Sequence, residues 1–179
     1  MNIVALGLLT LGGAARADEV KPPENVRVEP STPASTELAS RSATAAMSGN
    51  PQYSVKLADQ AIRANSKDPW PYYDKGMALA QMGEIDGALA ALVAAEQHFS
   101  PVDRWGRSIA VFGRAHTLSA AGRCDEAKKA FGEYMTLVQG DADATALAQR
   151  YSQDCRPLAA QPASPVALPP PMPASPAAK

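Results

Sequence analysis

The chain has 179 residues, of which 46% are hydrophobic, 20% charged and 6% aromatic, with 17 basic against 18 acidic side chains. A formal net charge of −1 leaves no basic excess to neutralise a run of phosphates or to hold an anionic membrane surface, so no nucleic acid is expected as a partner. The 16 prolines and 12 glycines in an Ala-rich background predict close helix packing beside segments that do not fold.

Residues 3–11 form an apolar run, followed by small residues and Ala15-Arg16-Ala17 just before Asp18-Glu19. That order reads as a secretory signal peptide over 1–17, cleaved after Ala17. Arg16 closes the run before it reaches the roughly 18 residues that a membrane span requires, so no integral membrane segment is expected after its removal. No Lys or Arg precedes the run, which a start upstream of Met1 would supply. The expected location is therefore periplasmic or secreted. Residues 18–34 hold Pro22, Pro23, Pro30 and Pro33 among charges with no sustained period, and read as a flexible linker.

From 35 to 156 the pattern is helical and repeats. Gly49 and Gly83 are 34 residues apart, and Gly83 and Gly122 are 39 apart. A period of 34 with helix, turn and helix in each unit marks a solenoid, and each glycine falls where a helix end needs a left-handed residue. Asn50-Pro51, Asp68-Pro69 and Ser100-Pro101 each pair a capping side chain with a proline, which predicts helix starts. Three units are expected, at about 35–68, 69–102 and 108–141. A capping helix over 142–155, opened by Asp141, covers the last exposed face. Residues 157–179 bring eight prolines, with Pro162-Ala-Ser-Pro165 echoed by Pro173-Ala-Ser-Pro176, and read as a disordered, semi-rigid polyproline spacer, with a P-x-x-P ligand for an aromatic groove as the alternative.

The second unit resembles the tetratricopeptide repeat family, of the bacterial exported type. Tyr72 stands at the family's early aromatic, Gly76 at its small crossing residue, and Leu79 at the bulky residue one turn later. Gly83 is its turn glycine, and Ala88, Leu92 and Ala95 give the small, large, small pattern of its second helix. The third unit aligns Val111, Ala115, Leu118, Gly122, Ala127, Phe131 and Tyr134; the first aligns Leu38, Ser42, Ala45, Gly49, Ser54, Ala58 and Ala61. Lys75 and Arg114 stand where the family has leucine, and Tyr134 where it has a small residue. The resemblance implies an all-α fold: three helix-turn-helix repeats with a C-terminal capping helix in a right-handed solenoid, flanked by disordered tails.

The same resemblance implies that the first helix of each unit lines a concave groove. Its positions here are Trp70, Tyr73, Met77 and Gln81 in the second unit and Ile109, Phe112, His116 and Ser119 in the third, with Thr36, Ala39, Ala43 and Met47 in the first. An exposed, apolar and aromatic surface of this kind suits a helix or an extended segment of a protein or peptide partner; the alternative is that Trp70 and Phe112 are covered by neighbouring helices or by the N-terminal linker and the groove is closed. It lacks the Lys and Asn with which some members clamp a terminal carboxylate. Cys124 and Cys155 would open the second helix of the third unit and close the capping helix, side by side, and so form a disulfide after export. Two free buried thiols are the alternative.

No phosphate loop, nucleophile elbow or triad order occurs, and His98 and His116 have no partners spaced for metal ligation. The expected role is a non-catalytic protein-interaction adaptor in the cell envelope, without cofactor or metal. The alternative is a structural homo-oligomer built by repeat stacking or tail docking.

Overall fold

The computed structural model describes residues 33–156. The stretch read as a signal peptide, most of that read as a linker, and the Pro-rich stretch 157–179 lie outside the described residues. Among those described there are seven helices and no strand: α1 (Pro33–Met47), α2 (Pro51–Ala64), α3 (Pro69–Gln81), α4 (Ile85–His98), α5 (Arg104–Ala120), α6 (Cys124–Leu137) and α7 (Ala142–Asp154). None is long and apolar enough to cross a membrane. Helix α1 begins at Pro33, inside the stretch read as linker.

Each helix packs on the next, and α1, α3 and α5 also touch in sequence to form one layer. The consecutive hairpins α1/α2, α3/α4 and α5/α6 therefore stack as a solenoid, with α7 against α6 and α5. Their corners are Gly49, Gly83 and Gly122, with φ of 75°, 77° and 68°, a backbone state that side chains with a Cβ strongly disfavour. Gly140, with φ 96°, makes a fourth corner between α6 and α7 that the sequence register did not include.

Two of the three expected helix starts form: the side chain of Asn50 accepts from Tyr53 N and that of Asp68 from Trp70 N, each ahead of a proline in the first turn. Ser100-Pro101 does not start a helix. Ser100 and Pro101 lie in the connection, and α5 begins at Arg104, where the Asp103 side chain accepts from Gly106 N at 2.8 Å. Asp103 supplies the acceptor for orphan amides that Ser100 is too early to reach.

Small residues set how closely the helices approach. A Cβ on Gly76 would lie 2.6 Å from Leu92 Cγ, so α3 and α4 cross at a distance only glycine permits. Leu92 is fully buried in that crossing. The residues that depart from the family's leucine are paired instead of buried. Lys75 Nζ reaches Asp59 on α2 at 2.8 Å, and Arg114 on α5 donates to Glu96 on α4 at 2.6 Å and to Glu133 on α6. A long cation at this point clamps one hairpin to the second helix of the hairpin before it.

Candidate functional site: the face of α3 and α5

The expected groove residues divide into three groups. Met77, Ile109 and Phe112 are only 6%, 3% and 5% exposed and belong to the core. This corrects the expectation of an open aromatic centre. Phe112 packs against Phe131 and Tyr134 of α6, and Tyr151 of α7 meets its ring edge-on at 5.8 Å. Met77 and Tyr73 close over α5 where it carries Gly113: a Cβ there would lie 3.2 Å from Met77 Sδ and from the Tyr73 ring. Helices α3 and α5 thus come together over Gly113, and α7 covers what remains of Phe112.

The second group, Gln81, His116 and Ser119, is half-buried toward the ends of these helices. Gln81 Nε2 and His116 Nδ1 are buried without a hydrogen-bond partner. Gln81 lies one turn beyond Met77, and His116 just under one turn beyond Gly113, so both orphaned atoms fall beyond the contact that joins α3 to α5. Burial lowers the His116 pKa, which favours a neutral imidazole. Buried polar atoms without a partner are uncommon in folded proteins, and these two mark where the packing beyond that contact leaves polar groups unmatched.

The third group opens the helices. Trp70 and Tyr73 are half-buried, and the Trp70 ring meets those of Phe99 at 5.1 Å and Trp105 at 5.6 Å. Trp105 was absent from the expected groove because the third unit was read as starting at 108. It is 37% exposed, and Val102 beside it is 61% exposed. A Cβ on Gly106 would lie 2.3 Å from the Phe99 ring, so this glycine lets Phe99 slide beneath the two indoles. The one sequence signal for Trp105 is Asp103, a capping residue that places the helix start ahead of it.

Asp74 and Asp68 give this end its electrostatics. Burial, and then the charge of Asp68, push the Asp74 carboxyl up to about 8, so it is largely protonated at neutral pH. Burial, and then Asp74, push the Tyr73 hydroxyl up to about 12. Asp68 is also raised by burial, against the hydrogen bond from Trp70 N. A neutral carboxyl and a neutral phenol fit an uncharged surface. Of the residues expected there, Thr36 and Met47 on α1 are exposed while Ala39 and Ala43 are half-buried.

Cys124 and Cys155 are neighbours with Cα atoms 5.6 Å apart, within the usual disulfide range. Among the described residues, no group of His, Cys, Asp or Glu is arranged to hold a metal ion.

No family model matches the chain, and no curated protein matches it. Among solved structures it is similar to the first tetratricopeptide repeat domain of Spaghetti (RPAP3), solved with the HSP90 peptide SRMEEVD. The two share 16% identity with a TM-score of 0.57, over 67% of this chain and 94% of that one. Stacked hairpins with equivalent glycine corners, superposing over nearly the whole of that domain, give the described residues the fold of a tetratricopeptide repeat domain.

Proposed function

We propose that this protein is a non-catalytic interaction adaptor, exported to the periplasm or cell envelope, that binds an extended segment of a protein partner along α3 and α5. The observation that carries this reading is the exposed pair Val102 and Trp105 at the start of α5, with the Trp105 ring 5.6 Å from that of Trp70 on α3. An extended peptide running along the helix pair would place an apolar side chain against the Trp70 and Trp105 rings. The peptide in the similar structure, SRMEEVD, is rich in acids. The face here offers a largely protonated Asp74 and a neutral His116, so the favoured ligand is uncharged. The signal-like sequence over 1–17 supports export, and export would oxidise Cys124 and Cys155.

The test is photo-crosslinking in cells from position 105, with position 93 on the exposed surface of α4 as control. One discrete adduct from 105, absent from 93 and weakened by Val102→Ala, is the expected result. Equal labelling from both positions would reject the site.

A further inference from the structure

The Pro-rich segment 157–179 begins beside the face just described. Cys155, the cap of α7, has its Sγ 3.7 Å from the carbonyl oxygen of Ser119, near the C-terminal end of α5. Trp105 opens the same helix. With about 1.5 Å of rise per residue, the 14 residues between them span roughly 21 Å. A polyproline helix advances about 3.1 Å per residue and covers that distance in about seven residues. A chain leaving Cys155 and running back along α5 therefore brings residues 162–171 to the aromatic end. That stretch holds Pro162, Pro165, Pro169, Pro170 and Pro171.

The chemistry of the two surfaces agrees. Residues 157–178 contain no charged side chain. At the aromatic end, Asp103 accepts from Gly106 N, Arg104 donates to the Thr136 and Leu137 carbonyls, and Arg107 donates to the Pro101 carbonyl. The charges beside the patch are thus engaged, while the Trp105 and Val102 side chains stand in solvent. Paired aromatic rings are what proline-rich segments dock against, since their fixed φ leaves little entropy to lose on binding.

We infer that the chain's own tail docks in cis, in polyproline conformation, across Trp70 and Trp105, and so occupies part of the partner-binding face until a partner displaces it. The docking itself stands on the same patch but not on the existence of an outside partner. A short tether gives the tail a local concentration in the millimolar range, enough for a contact that would be weak between separate molecules.

The chain contains two tryptophans, and both are in this patch, so intrinsic fluorescence reports on it alone. Full-length protein is compared with a chain ending at Arg156, which keeps every described helix, and with a full-length variant carrying Pro162→Gly, Pro165→Gly, Pro169→Gly, Pro170→Gly and Pro171→Gly. Both altered chains should emit to the red of the parent, with acrylamide quenching about two-fold stronger, at unchanged helical circular dichroism. A synthetic peptide of residues 157–179 added to the shortened chain should reverse the shift. Identical emission and quenching in all three proteins would overturn the proposal. A difference that appears only as protein concentration rises would also overturn it, by assigning the tail to a second copy.

Discussion

The first and last hairpins share a backbone plan but hold it together with different chemistry. In α1/α2 the crossing is made by Ser42 and Ser54, both fully buried, with Ser42 Oγ donating to the Ser54 carbonyl at 2.9 Å and lying 3.0 Å from its hydroxyl. In α5/α6 the residues aligned with them are the fully buried Ala115 and Ala127, and the seam about a turn away is filled by Phe112, Phe131 and Tyr134, with Tyr151 of α7 stacked on Phe131. A hairpin of this size tolerates either a polar clasp between closely packed small residues or a wide aromatic seam. The geometry is fixed by the glycine corner and by small residues at the crossing, not by one kind of core. The consequence is energetic: apolar area buried by four rings stabilises far more than one satisfied hydroxyl pair.

That contrast can be broken or sharpened experimentally. The largest effect is expected from Phe131→Ala, which empties a fully buried site in the aromatic seam and should cost about 3–5 kcal/mol in denaturant unfolding. If Ser42→Ala proves equally costly, the contrast between the two ends fails. Next, in protein recovered from an oxidising compartment, thiol counting under denaturing conditions should find no free thiol. Cys155→Ser should then cost about 3–4 kcal/mol, from the loop of 31 residues that the bridge closes. Two free thiols would remove both statements. Ser42→Ala should cost about 1–2 kcal/mol by stranding the Ser54 hydroxyl, and the double change Ser42→Ala, Ser54→Ala should recover part of that loss.

The smallest effect concerns the hairpin between them. The folded pKa of Asp74, about 8, lies above its ordinary 3.8, so its contribution to stability is full below about pH 4 and declines as pH rises through 8. Asp74→Asn should flatten that decline, gaining about 1 kcal/mol at pH 9 for a carboxyl that water partly reaches. Thermal midpoints across pH check it. A parallel decline in both proteins would place the titrating group elsewhere.

The fold was legible because its strongest determinants are local. A positive φ at Gly49, Gly83 and Gly122 can be read from one residue and its neighbours, and so can Asn50-Pro51 and Asp68-Pro69. Ser100-Pro101 carried the same pattern without the result, because Asp103, three residues before Gly106, caps the helix instead. The site was legible only in part. The family resemblance assigned Met77, Ile109 and Phe112 to the face of α3 and α5, but Met77 is buried against Gly113 of α5 and Phe112 against Tyr151 of α7, contacts between helices that no single helix displays. Lys75 and Arg114 looked like departures for the same reason: their acids lie 16 and 18 residues earlier, in the preceding hairpin.

The placement of Cys155 beside Cys124 matters for how this protein would bear load. A pull on residues 157–179 applies its force at the end of α7, which has a single buried residue, Ala148, fewer than any other described helix. With the two sulfurs bridged, tension bypasses α7 and enters at the first residue of α6, whose far side is seated in the aromatic seam. Force applied beyond Cys155 then reaches α6 without peeling α7 from the domain.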